Sequence, residues 1–408
     1  MSASARVPHR RRACFACADV KRACDRKLPE CQRCLDRDVD CVYPTSKRHQ
    51  PVLPRAGQVD NLLLGNILDS ELVMENWGAL GTSGSNISVP ELIFPSLPMS
   101  RTEEPGGGLF EVDTPYPWFL ESDTWTIEHK DPEPSGESAN PDEFIERIMG
   151  MLRSWVETGH SGFIHRRLYR NGLPRCLQDA YTVLSSYINS TAIMKTMTLE
   201  IAHERSTALA AEEVVPLDDR AETILAHLAR TQAMFIYQCI ELFDGSIRHR
   251  ALAERQISIL QLWTMQMWDV ITKSRDEQNP YRKTLQRLQS ETDTSRKLSV
   301  EMWQSWILAE SARRTFVVVS FTTSVFLTLR DGWADCCGGV MLTARRGLWD
   351  EQSATKWFEM CCDKPPLLVS SLRPERYLPD LPAAEVDGFV TTIWTLLVGS
   401  EAVRNWVA

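Results

Sequence analysis

Six cysteines near the start of the chain fall into two copies of one spacing. Cys14, Cys17 and Cys24 lie in CFACADVKRAC, and Cys31, Cys34 and Cys41 lie in CQRCLDRDVDC, each reading CxxCx6C. Thiolates this close serve either as zinc ligands or as a disulfide framework, and the redox compartment decides which. The leading residues MSASARVPHRRRA are basic and have no apolar core, so they do not read as a secretory leader, and an intracellular zinc site is the expectation. Structural zinc takes four tetrahedral ligands. One ion would leave two cysteines unused, whereas two ions need eight ligand places, which six thiolates fill only if two of them bridge.

This array resembles that of the fungal binuclear zinc-cluster transcription factors, whose pattern is CxxCx6C, a short loop, and a second CxxCx6C. All six positions match, and Pro29 stands in the loop where that family usually has a proline. The resemblance implies two zinc ions as cofactors, held by Cys14, Cys17, Cys24, Cys31, Cys34 and Cys41, with Cys14 and Cys31 as the bridging pair. A head this short cannot hold itself together by apolar burial, since Phe15, Val20, Leu28, Leu35, Val39 and Val42 make little core. Metal must supply the folding energy, which for structural zinc in small peptides is about 10–16 kcal/mol.

Charge divides the chain unequally. The first fifty residues hold twelve Lys and Arg against six Asp and Glu, a net of +6 in a chain of −9, so the remainder carries −15. A basic, metal-folded head on an acidic protein points to nucleic-acid binding confined to the head. Within it, ADVKRA between Cys17 and Cys24 is basic, while LDRDVD between Cys34 and Cys41 carries three aspartates that a phosphate backbone would repel. The first half is therefore expected to face double-stranded DNA. The family resemblance adds that the first short helix enters the major groove end-on, and that the lysine four residues after the second cysteine, here Lys21, reads guanine O6 and N7 of CGG-type half-sites. Arg22, the arm Arg10, Arg11 and Arg12, and Lys47 and Arg48 of the exit segment are the expected phosphate contacts. Ala18, Val20 and Ala23 stand where many family members are basic, which lowers the expected affinity of the helix itself. Ala18, the lone Lys21 and the SKR exit resemble regulators of fungal secondary-metabolite gene clusters, of the aflatoxin-pathway type. The basic runs equally suit nuclear import.

The positioning elements are expected to be mostly α. Pro44, Pro51, Pro54 and Gly57 open a linker, and residues 51–140 read as largely disordered. QVDNLLLGNILDSELV is too short, and too broken by Gly65, for a confident coiled coil, so a monomer and a homodimer both stay open. In LFEVDTPYPWFLESDTWTIEHKD, the aromatics Phe110, Tyr116, Trp118, Phe119 and Trp125 alternate with acids. This is the composition either of an activation segment offered to a coactivator or of a strand packed on the next domain. From 141 to 408 an all-helical regulatory domain is expected. Asn140 caps it, Pro141 takes the first helical position and Glu143 the third, with Ile145, Met149, Leu152 and Val156 on one face. Further helices read over 174–188, 190–214, 218–243, 247–271 and 298–329. The uncharged stretch 315–329 is too short for a membrane span and reads as a buried helix. LARTQAMFIYQCIELFDG, WQSWILAESARRT and GLWDEQSATKW resemble, more loosely, segments of the regulatory middle region of zinc-cluster factors.

The body shows no GxSxG, HExxH or glycine-rich phosphate loop, and His160, His165, His203, His227 and His249 are scattered, so no enzyme is expected. The adjacent pairs Cys336–Cys337 and Cys361–Cys362 read as buried reduced thiols rather than as a second metal site. The sequence as a whole reads as a nuclear, DNA-binding regulator of RNA polymerase II genes, an activator of a fungal biosynthetic gene cluster. The other open reading is a zinc-cluster scaffold or repressor with weak direct DNA binding.

Overall fold

The computed structural model describes residues 13–14, 17–18, 20–27, 31–37, 117–130, 140–213, 215–217, 221–273 and 295–407. The expected coiled-coil candidate, the linker between the head and residue 117, Pro29, Cys41, the arm Arg10, Arg11 and Arg12, and the pair Lys47 and Arg48 lie outside them. The chain divides into two units, 1–111 and 112–408. In the first, a single helical turn at Cys17 and Ala18 is followed by helix α1 (Gln32–Arg37).

The second unit is helical. Its helices are α2 (Pro141–Thr158), α3 (Arg175–Ile188), α4 (Ala192–Ala210), α5 (Ala221–Asp244), α6 (Ile247–Glu254), α7 (Ile257–Lys273), α8 (Ser295–Asp331), α9 (Ala354–Asp363), α10 (Gly388–Val398) and α11 (Ser400–Val407). Strands β1 (Met341–Thr343) and β2 (Leu368–Ser370) pair antiparallel, with Leu342 opposite Val369. The expected start of α2 is as read: the Asn140 side chain accepts from the Glu143 amide at 3.2 Å, and Pro141 occupies the first turn. Its buried face is shifted, however. Phe144, Ile148, Leu152 and Trp155 are buried, while Ile145, Met149 and Val156 pack at the edge, because the two aromatics take the centre of a broad apolar stripe.

The single helix expected over 247–271 is two. It breaks after Glu254, where the Gln256 amide turns back to the Ala253 carbonyl at 2.9 Å and its side chain reaches Thr207 of α4. Neither Gly nor Pro marks this break, so a tertiary hydrogen bond overrides a continuous helical pattern. The turn before α6 is marked: a Cβ on Gly245 would stand 2.1 Å from the Glu241 carbonyl, so only glycine lets the chain leave α5 there.

Helices α5 and α8 form the centre, with every residue buried over 227–242 and 305–319. The buried part of α8 thus begins ten residues before the uncharged stretch and includes three charges, Glu310, Arg313 and Arg314. All three find partners. The Arg314 guanidinium lies 3.0 Å from Glu310 Oε1 and 3.3 Å from Asp387 Oδ2, donates to the Gly162 and Thr343 carbonyls, and sits 4.1 Å from the Trp349 ring centroid. Asp387 Oδ1 meanwhile caps α10 by accepting from the Phe389 amide at 2.8 Å. Paired, hydrogen-bonded charges of this kind can be buried where single ones cannot.

The aromatic–acidic stretch belongs to this core. Residues 117–130 form two 3-10 turns, Trp118–Leu120 and Ser122–Trp125, whose Trp118, Phe119, Leu120 and Trp125 are buried among the helices. Trp118 stacks on Trp357, which packs on Trp306. Glu128 pairs with Gly339 through the backbone and with Arg373 through its side chain. The linker reading is therefore corrected for 117–130. Of the two readings of these aromatics, packing on the body is the one their contacts make, and the acids between them stay at the surface.

Candidate metal centre and nucleic-acid interface

Five of the six expected ligands come together. Cys14, Cys17, Cys31 and Cys34 are buried, and Cys24 is half-buried at their edge. The Sγ–Sγ separations are 3.8 Å for Cys14–Cys31, 3.6 Å for Cys14–Cys34, 3.7 Å for Cys17–Cys31, 3.9 Å for Cys17–Cys34 and 3.9 Å for Cys24–Cys14. Sulfurs at tetrahedral corners 2.3 Å from a zinc ion stand about 3.8 Å apart, so these thiols have the spacing zinc requires. It is far from the roughly 2 Å of a disulfide. Cys14, Cys17, Cys24 and Cys31 form one four-donor group with all sulfurs within 4.8 Å. Cys14 and Cys17 each stand within 3.9 Å of both Cys31 and Cys34, so the separations gather the thiols without singling out a shared pair among them. Without metal, burial among the other thiols pushes the Cys17 thiol up, whereas a bound cation holds its ligands as thiolates.

The backbone around the nest is shaped by local bonds. The Cys34 amide donates to Cys31 Sγ at 3.4 Å. Asp25 Oδ1 accepts from the Gln32 amide at 3.1 Å, so a residue of the loop after Cys24 caps the helix of the second half. After Cys17 the helical turn ends in a Schellman motif: the Lys21 amide donates to the Ala18 carbonyl and the Arg22 amide to the Cys17 carbonyl, both at 3.0 Å. Lys21 is the left-handed residue of that motif, at φ 49°, where glycine is the usual occupant. A side chain there costs about 1 kcal/mol, so this lysine sits against the backbone preference of its own position.

The ammonium of Lys21 and the guanidinium of Arg22 are exposed, as expected. Arg26 and Lys27, just beyond Cys24, are also exposed, with Lys27 3.8 Å from Asp25. The sequence reading passed over these two because they follow Cys24 and lie outside the CxxCx6C half; the signal was the four cations within seven residues. Ala18, Val20 and Ala23 are exposed as well, so the outer surface of this half alternates small or apolar groups with cations.

The body offers no comparable site among the described residues. Cys336 and Cys337 are half-buried, with burial of its sulfur pushing the Cys337 thiol up to about 12; Cys361 is buried and Cys362 exposed, so of the four thiols expected to be buried only Cys361 is fully so. His160, His165, His227 and His249 are buried and His203 is partly exposed. No helix among the described residues is long and apolar enough to cross a membrane.

Along nearly its whole length the chain is similar to "Transcription factor gsfR2" of Penicillium aethiopicum, at 25% identity over 422 positions covering 98% of this chain and 95% of that protein. It is also similar to "Oleate-activated transcription factor 1" of Saccharomyces cerevisiae, at 46% identity over 41 residues, 10% of this chain and 4% of that protein. No solved structure matches the chain. Residues 12–50 match the family of the fungal Zn(2)-Cys(6) binuclear cluster domain, a span that takes in Cys41, Lys47 and Arg48 as well as the five gathered thiols. The thiol nest and this match agree: the head of the chain is a fungal Zn(2)-Cys(6) binuclear cluster domain, and its cofactors are two zinc ions.

Proposed function

We propose that this chain is a sequence-specific DNA-binding transcription factor of the nucleus that regulates RNA polymerase II genes of a fungal secondary-metabolite cluster. The observation that carries the reading is a set of exposed cations, Lys21, Arg22, Arg26 and Lys27, flanking Cys24 of a nest of thiols spaced for zinc. Cys14, Cys17, Cys24 and Cys31 hold one ion, and Cys14, Cys31, Cys34 and Cys41 hold the other. The metal supplies rigidity; because its six thiolates outweigh the charge of the two zinc ions, the positive charge that meets DNA comes from the Lys and Arg side chains. Lys21 donates to guanine O6 and N7 of a CGG-type half-site, and Arg22 and Arg26 meet phosphates, joined by Arg10, Arg11, Arg12, Lys47 and Arg48. The similarity to a named transcription factor along the whole chain supports a regulatory role for the helical body, and the Penicillium source of that relative fits the fungal setting.

Fluorescence anisotropy of the full chain with a CGG-containing duplex and with a scrambled duplex, over a range of salt, tests this. Preference for the CGG duplex by at least about a hundredfold, with affinity falling steeply as salt rises, is the expected result. Equal, weak binding to both duplexes would leave the zinc head as a protein-binding scaffold.

A further inference from the structure

Helix α4 buries one face and leaves the other bare. Thr198, Leu199, Ala202, Ser206 and Leu209 pack inward. On the outer side Ile193, Met194, Met197 and Ile201 are exposed, Ile193 by 88% and Met197 by 52%. Spaced three and four apart they form one stripe, and four large apolar side chains in a row expose on the order of several hundred Å², the size at which a surface patch marks an interaction site.

The charges beside the stripe say what covers it. In heptad terms Met194, Met197 and Ile201 take positions a, d and a, which leaves inward-facing Leu199, Ala202, Ser206 and Leu209 at f, b, f and b, with Thr198, at e, buried against the body on one flank of the seam. Glu200 then falls at g and Arg205 at e. Both are exposed, and neither is ion-paired with a described residue. In a parallel helix pair a g residue faces the e residue five positions on in the partner, so Glu200 of each copy meets Arg205 of the other. An antiparallel pair sets g against g and e against e, bringing like charges together. Both halves of the match come from one helix, as a twofold contact between identical subunits requires.

We propose that the outer face of α4 joins two copies of this chain in parallel, with Met194, Met197 and Ile201 as the seam and two Glu200–Arg205 pairs along its sides. The seam stops at Glu204, the next d position, so it spans little more than one heptad and the dimer is weak, with a dissociation constant of about 10–100 µM. Because α4 is already folded in the body, association does not have to order the helix. The dimer carries two zinc-cluster heads, but its formation requires no DNA and stands apart from the reading of the head.

Sedimentation equilibrium of the full chain without DNA, from about 0.1 to 100 µM, tests the proposal. A monomer–dimer equilibrium is expected, weakened about tenfold or more by Met197→Glu. Glu200→Arg and Arg205→Glu should each weaken it about threefold or more, and the double exchange should restore it to within about twofold of the parent. A chain monomeric throughout, a dimer indifferent to Met197→Glu, or a double exchange without recovery would overturn it. If Met197→Glu fails to fold, the charge-exchange series on two exposed residues decides.

Discussion

Arg313, in the middle of α8, donates to the carbonyl of Phe119 at 2.7 Å, joining the central helix to a turn 194 positions earlier in the chain. The same guanidinium donates to Thr124 Oγ1 at 2.6 Å, lies 4.2 Å from the Trp125 ring centroid and stands 3.6 Å from Glu310 Oε2. Burial pulls its pKa down to about 10, with Glu310 acting the other way, so it stays charged. Arg313→Met keeps the bulk but leaves Glu310 Oε2 without its counter-charge and removes one donor each from Phe119 and Thr124, which keep their bonds to Trp125 Nε1 and the Glu121 carbonyl. We expect a loss on the order of 3 kcal/mol from the body's unfolding free energy in urea, with zinc content unchanged.

Chelation should separate the two units. A strong chelator is expected to abolish the helical signal of an isolated 1–50 peptide, whose apolar residues cannot replace the metal, and to leave the thermal transition of the body in place. Circular dichroism of the peptide and of the full chain checks both; a peptide whose spectrum ignores chelation would refute the metal-folded head.

The left-handed backbone at Lys21 allows its two roles to be pulled apart. Lys21→Gly removes the ammonium and relieves the backbone, so the head should become slightly more stable, by about 1 kcal/mol, while affinity for the CGG duplex drops at least about tenfold. Lys21→Ala should lose the same affinity without the gain. Zinc retention under a competing chelator reports stability, and anisotropy reports binding.

Glu241 on α5 is buried against His203 and Ser206 of α4, and burial pushes its carboxyl up to about 8 against the opposing Ser206 bond. His203 is shifted down, also chiefly by burial. The 3.2 Å contact between them is thus a neutral hydrogen bond from acid to imidazole at neutral pH, not an ion pair, although the distance would allow one. The folded carboxyl binds its proton more tightly than the unfolded one. Its contribution is full below the ordinary carboxylate pKa and is lost as pH rises towards 8. Glu241→Gln should flatten the fall in body stability between about pH 5 and 8 and raise the melting temperature at the alkaline end. An unchanged pH profile would contradict the assignment.

Residues whose partners are near in sequence were the legible ones. The ligand spacing of Cys14 to Cys34 carried the head, and Asn140, Pro141 and Glu143 carried the start of α2, because a cap and a CxxC each close within a few residues. Charged Glu310, Arg313 and Arg314 at the centre of the body were not legible: their compensation comes from Asp387, Thr343 and Phe119, far away in the chain. Trp118, Phe119 and Trp125 were ambiguous for the same reason, since interleaved acids describe a solvated segment and a half-buried turn equally well until Trp357 and Arg313 are in place. The left-handed Lys21 carries no signal in composition, because its conformation is set by the hydrogen bonds that end the preceding turn.

The packing of residues 117–130 also fixes where this protein can be cut and rejoined. A junction at the sequence start of α2 would remove Trp118, Phe119, Leu120 and Trp125 from the core and leave Arg313 facing vacant space. A junction before Pro117 preserves every contact described for the body. For transplanting a different reading head onto this body, the natural splice point therefore lies more than twenty residues upstream of its first long helix.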